Sequence, residues 1–335
     1  MARLVAGFGS SHSPMLAARA EDWQDAFLAR DRARQFVDFA GRPCRYDDLL
    51  ANAPEDAASR IEPQTLRQRH ANVQAAIARL RDDIAAAELD VLIVIGDDQE
   101  ELFDHSNMPA IGVYYGETIA NARAPDGASN GGGALDRARM RYMEPGGDVD
   151  YPCHAPLARH LIDELQRNDF DLSAMARTAP GKFEGHAVSY VHRFLMGPVP
   201  IPVVPVFLNA YYPPNQPSPS RCVALGQAIR RAIDSFPAGI KVGVLASGGL
   251  SHFVVDEAFD HAVIDAFKRH DTEFFRSAPL HKLMSGSSEI RNWICLAGAV
   301  AGFEPAWVSY TPGYRTPALT GTGLCFASFR PGAAS

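Results

Sequence analysis

The sequence predicts an α/β protein: a central, mostly parallel sheet flanked by helices, in one large domain with long loop insertions over a site. Three observations predict it. Short, almost wholly apolar runs recur along the chain. Amphipathic stretches of helical period lie between them. Histidines and acids collect just past the ends of the apolar runs, where open α/β sheets bind ligands.

The apolar runs are residues 4–8, 91–95, 111–115, 201–207 and 242–246. Most are rich in Val or Ile and lack alternation, as expected of strands buried on both faces. Residues 63–87 carry apolar side chains at helical spacing, with Arg and Asp on the opposite side. Residues 155–166, 221–235, 256–275 and 289–301 read as helices in the same way. Residues 30–63 and 122–152 break the rhythm. Unstructured stretches of that length in a compact domain are commonly functional covers. No internal repeat or low-complexity tract is present.

A chain of 335 residues suits a single large α/β domain, and an apolar content of 47% excludes disorder. A formal net charge of −7 argues against nucleic acid as a partner. No stretch approaches the roughly 20 apolar residues of a membrane span, and the N-terminal pattern is not that of a secretion signal. The five cysteines are dispersed without a CxxC pair. Cytoplasmic residence with reduced thiols is the expectation.

The first strand leads to His12 in "GFGSSHSPML", the second to "GDDQEELF", and the 242–246 strand to "SGGLSHF" with His252. Each has a bland reading beside the functional one. His12 can be a hydrogen-bonded loop residue, the acidic cluster a solvated turn with helix-capping acids, and Glu289 a first-turn acid behind a Ser287 or Ser288 cap. The "SGGLSHF" glycines are more specific, since they let backbone approach a ligand closely. Common alternatives fail. "GFGSSH" lacks the third glycine of a dinucleotide fingerprint, and neither GxxxxGK[ST] nor HExxH occurs. "GASNG" at 127–131 has the letters of a nucleophile elbow but follows no strand.

Taken together, "GFGSSHSPML", "VLIVIGDDQEELF", "GKFEGHAVS", "PVFLNAYYPP" with "RCVALGQAIRRAIDSFP", "SGGLSHF" and "SGSSEIRNW" resemble, in order, the class III extradiol ring-cleavage dioxygenases. That group contains the catalytic β subunit of protocatechuate 4,5-dioxygenase. The subgroup with "GDDQ" is most similar to 3-O-methylgallate dioxygenases and related lignin-fragment ring-opening enzymes.

The resemblance implies meta cleavage of a substituted, carboxylate-bearing catechol by O2 at Fe(II) held by two histidines and a glutamate. His12 matches the first histidine and Glu289 the glutamate. Gln99 stands in place of the second histidine, with Asp98 or His70 as alternatives. His252 matches an acid/base histidine and His186 a histidine near the substrate. Arg291 and Lys182 are candidates for holding a substrate carboxylate, while His192 reads as structural. A homodimer is expected, with 30–63 and 122–152 covering the site; some family members need a small α subunit. Two rival readings stand: a Zn²⁺ hydrolase using His12, Asp98, His252 and Glu289, and a non-catalytic binding protein on the same fold.

Overall fold

The computed structural model describes residues 1–125 and 132–332, so the 127–131 "GASNG" stretch lies outside the described residues. The strands are β1 (Arg3–Ser10), β2 (Gln35–Val37), β3 (Pro43–Arg45), β4 (Val91–Asp97), β5 (Ile111–Tyr114), β6 (Thr118–Asn121), β7 (Val149–Pro152), β8 (Ser173–Met175), β9 (Val203–Leu208), β10 (Lys241–Ser247), β11 (His252–Val254), β12 (Phe303–Tyr314) and β13 (Thr320–Pro331). The helices are α1 (Trp23–Ala33), α2 (Tyr46–Ala51), α3 (Pro63–Ala86), α4 (Ala134–Met140), α5 (Ala155–Arg167), α6 (His186–Tyr190), α7 (Pro219–Ser235), α8 (Glu257–Lys268), α9 (Thr272–Arg276) and α10 (Ile290–Ala299).

Nine strands form the main sheet, in the order β11-β13-β1-β10-β4-β9-β5-β8, with β12 also paired to β13. Its centre, β1-β10-β4-β9, is parallel, and antiparallel pairs at β1/β13 and β5/β9 frame it. The α/β architecture is therefore the expected one. All five apolar runs are strands of this sheet. Their lack of alternation has a direct cause in β4. Val91, Ile93 and Ile95 face one hydrophobic core with α5, α7 and α10, while Leu92 and Val94 face a second core with α1 and α3. Both faces are covered, so neither set of positions can be polar.

Three expectations change. The long β12/β13 hairpin was not foreseen, because Pro305, Pro312 and Gly313 interrupt its strand pattern. The single helix expected over 256–275 is two, α8 and α9, divided where His270 takes a positive φ of 54°. Glu289 does not sit inside the first turn of a helix capped by Ser287 or Ser288; it closes a 3-10 turn, Ser285–Glu289, and caps α10.

Candidate active site

The carboxyl ends of β1, β4 and β10 open into a cavity of about 800 Å³. His12, Gln99, Glu101, Lys182, His186, Tyr211, His252 and Glu289 all line it. His12 follows β1 and is held by two contacts. Its carbonyl accepts the Tyr142 hydroxyl, and its ring Nδ1 lies 3.1 Å from Ser247 Oγ at the end of β10. Ser247 donates its own proton to the Ala187 carbonyl at 2.7 Å. Oγ must then accept from His12, so Nδ1 carries the hydrogen and Nε2 presents a lone pair.

His186 is fixed by the same logic. Its Nδ1 lies 2.7 Å from Glu101 Oε2, and a carboxylate only accepts. Its Nε2 therefore points away, to 3.2 Å from His12 Nε2. Glu289 Oε2 lies 3.2 Å from His12 Nε2, and Asp97 reaches both rings at 3.7 Å. The carboxylate of Asp97 also accepts the amides of Asn292 at 3.3 Å and Gln99 at 3.4 Å. Glu289 Oε1 accepts the Tyr211 hydroxyl at 2.7 Å, and Oε2 accepts Gly249 N–H at 2.9 Å.

Two imidazole nitrogens facing each other at this distance, each with its other nitrogen protonated, repel unless a cation lies between them. A proton or a metal ion can fill that role. Without metal the proton takes it: burial disfavours the charged ring of His186, but Glu101, Asp97 and Glu289 outweigh that and push its pKa up to about 10. Asp97 is pushed up to about 6 by burial and by the charge of Glu289. Burial would raise Glu289 as well, yet His252 and His12 hold it well below the usual carboxylate range. Among the described residues, His12, Asp97 and His186 bring three ligand atoms within 4.8 Å of one another. Donors about 3 Å apart match neighbouring ligands on one ion with bonds of about 2.1 Å at right angles. The donor set therefore fits a transition metal. The Glu101–His186 pair is the carboxylate–histidine arrangement that orients such ligands.

His252 sits across the cavity, its Nε2 3.3 Å from Glu289 Oε2. Its Nδ1 lies 2.8 Å from the Leu250 carbonyl, which only accepts, so in the neutral ring Nε2 is the basic nitrogen. Burial keeps the ring's pKa below the ordinary value. The "SGGLSHF" glycines, read from the sequence as letting backbone approach a ligand, make room here for protein side chains. A Cβ on Gly249 would stand 2.4 Å from His252 Cε1. Behind the loop, buried Asp260 accepts Ser251 N–H at 2.8 Å and the Ser251 and Tyr310 hydroxyls at 2.6 and 2.7 Å.

The other sequence candidates fall as follows. Gln99 lies at the cavity with its amide aimed at Asp97. Asp98 does not line the cavity; its oxygens accept Leu102 N–H and Phe103 N–H at 2.8 and 3.2 Å and cap the turn after β4. His70 faces the Ala18 carbonyl at 3.1 Å, away from the cavity. Lys182 lines the cavity, its Nζ 3.3 Å from the Glu100 carbonyl. Arg291 does not line it: its guanidinium is buried against the Pro217 and Leu283 carbonyls at 3.0 and 2.8 Å. His192 is buried in a pair with Glu184 at 2.7 Å. Sequence reasoning passed over Asp97, Glu101, Tyr211 and Ser247. For Asp97 a signal existed, since the last residue of β4 is the acid most directly delivered to the sheet edge.

A fold of this topology with imidazoles and carboxylates converging at the strand ends defines a metalloenzyme-like α/β protein. The chain belongs to the family of the catalytic LigB subunit of aromatic ring-opening dioxygenase, whose model matches residues 58–324. It is similar to a gallate dioxygenase of Pseudomonas putida, with 37% identity over 106 residues, 31% of this chain and 30% of the relative. It is also similar to a 2,3-dihydroxyphenylpropionate/2,3-dihydroxicinnamic acid 1,2-dioxygenase of Comamonas testosteroni, with 32% identity over 114 residues, 33% of each chain. The aligned part thus spans about a third of the length of these curated relatives. Among the described residues no helix is long and apolar enough to cross a membrane.

Proposed function

We propose that this chain is an Fe(II)-dependent extradiol dioxygenase that opens the ring of a catechol beside one of its two oxygens, using O2. The observation that carries the reading is the pair of inward-facing Nε2 atoms of His12 and His186, 3.2 Å apart and flanked by Glu289 and Asp97. These four residues would hold the metal. Two imidazoles with carboxylate are the donors of non-haem ferrous oxygenases. When bound, the ion lowers the pKa of hydroxyls placed on it and supplies reducing power toward O2.

The chain's own groups account for the rest. His252 Nε2 takes a proton from a ring hydroxyl and returns it as the ring opens. Ser247 and Glu101 hold the two ligand imidazoles in the tautomer that leaves Nε2 free. Gln99 and Asn292 set the Asp97 carboxylate through their amides. Tyr211 and Gly249 N–H fix Glu289. Arg34 from the 30–63 stretch and Arg139, Tyr142 and Met143 from 122–152 form part of the cavity wall, which supports action without a separate covering subunit. All five cysteines are unpaired, which fits a reducing compartment such as the cytoplasm.

Oxygen uptake by the purified chain, with Fe(II), ascorbate and a panel of catechols, tests the reading. Stoichiometric O2 consumption with a yellow ring-opened product is expected. Turnover indifferent to O2 would leave the hydrolase reading in its place.

A further inference from the structure

Above the acidic floor the cavity is basic. Arg30 and Arg34 project from the end of α1 and Arg139 from α4, and all three line the same cavity as His12 and His252. None has a carboxylate within ion-pair distance among the described residues. Arg315, also in the lining, differs in having a carboxylate partner: it donates to Asp31 at 2.8 and 2.9 Å. The guanidinium of Arg34 lies 3.6 Å from the centre of the Phe253 ring, which places this charge beside the residue that follows His252. The cations also burden one another. Arg34 is brought down to about 10 by burial and by Arg30 and Arg315, and Arg30 is lowered by burial and by Arg139 and Arg315; the Asp31 carboxylate acts the other way on both without outweighing these causes. Arg34 is half-buried while Arg30 and Arg139 are exposed. Three arginines without a carboxylate partner in one wall concentrate positive potential on a chain whose net charge is −7, and that potential favours an anionic occupant.

Size points the same way. A cavity of about 150 Å³ holds benzene, whereas this one is about 800 Å³. One bidentate arginine satisfies one carboxylate. We propose that Arg30, Arg34 and Arg139 form a specificity wall for a polyanionic catechol, one carrying two carboxylates besides the pair of oxygens that faces His12 and Glu289. The proposal rests on the ring-cleavage reading for the placement of the catechol, but not for the anion preference itself.

Calorimetric binding to the Fe(II)-loaded protein without O2 tests it with three catechols that differ in charge: methyl 3,4-dihydroxybenzoate, 3,4-dihydroxybenzoate and 4,5-dihydroxyphthalate. Affinity should rise from ester to monoacid to diacid, by about tenfold or more per carboxylate, the scale of a charge-assisted hydrogen bond. In R34M/R139M, checked for an unchanged unfolding temperature, the diacid preference over the ester should fall by more than about tenfold. The single variant R30M should remove part of it. An ester bound as tightly as the acids, a monoacid bound as tightly as the diacid, or a preference that survives R34M/R139M overturns the proposal. If the preference is present and depends on the arginines, yet no catechol consumes O2, the wall stands and the ring-cleavage reading falls.

Discussion

The floor and the mouth of the cavity differ in origin, charge and burial. The floor is delivered by β1, β4, β10 and the start of α10; His12, Asp97 and Glu289 are each about 2% exposed or less, and every ring nitrogen has an identifiable partner. The mouth takes its arginines from the end of α1 and from α4, in and beside the two stretches without strand or helix rhythm. Acid collects at the floor and base at the mouth. Reaction chemistry needs groups held to fractions of an ångström, which strand ends provide; substrate choice tolerates side chains on the periphery. The difference suggests that floor substitutions change whether metal and turnover exist at all, whereas mouth substitutions change which ligand is preferred.

The largest expected effect is on the floor. Glu289→Ala should reduce bound Fe(II) from about one per chain to background, measured by iron assay after desalting. It should also abolish the rise in unfolding temperature that Fe(II) gives the unaltered chain. Full iron occupancy in the variant would remove Glu289 from the ligand set. His252→Ala comes next. It should keep its iron and lose at least roughly 10²-fold in turnover, the scale of general acid–base catalysis. A normal rate would mean that another group moves the proton. Glu101→Gln leaves the ligands in place but weakens the acceptor that holds His186 Nδ1–H. Fe(II) affinity should drop by about 10- to 100-fold, as for other outer carboxylates on ligand histidines. Titration with Fe(II) under argon reads this directly, and an unchanged affinity would argue that His186 does not ligate.

How far these regions could be read in advance follows their origins. His12, His252 and Glu289 were legible because each lies in a motif at a strand or helix end, where an α/β sheet places its sites. The floor's other acid was harder. "GDDQEELF" offers five polar candidates, and choosing among them needs the register of β4, which ends at Asp97 and turns Asp98 into the following turn. Tyr211 reaches Glu289 only because the chain after β9 folds over the sheet edge, a contact between residues 78 apart in sequence. The arginines of the mouth carry no local signal at all. An arginine at the end of a helix reads as solvated surface until the fold shows it bordering a cavity, as Arg139 does; Arg291, in a helix that bears a motif, is instead buried against carbonyls. The β12/β13 hairpin was hidden by its prolines, although it covers one side of the parallel centre.

The smallest effect concerns what supports the floor. Asp260 receives three hydrogen bonds and thereby holds Ser251, the residue before His252, but it makes no hydrogen bond to His12, Asp97, His186 or Glu289, the residues proposed to hold the metal. Burial pushes its pKa up from 3.8 to about 7 in the folded chain, against the donors that favour the carboxylate. Between these two values the folded protein binds a proton that the unfolded chain has released. The stabilisation linked to this group is therefore complete below about pH 4 and is lost as pH rises through about 7. The change is on the order of a few kcal/mol, which for a chain of this size is several degrees in unfolding temperature. Asp260→Asn keeps the shape but cannot titrate. It should be less stable than the unaltered chain at pH 5, because the hydroxyl oxygen of the protonated carboxyl both donates and accepts where the amide NH2 only donates, and the gap should narrow at pH 8. Unfolding temperatures of the two proteins across that range give the comparison. A gap that stays constant with pH would show that Asp260 remains ionised in the folded protein, and that its three donors outweigh its burial.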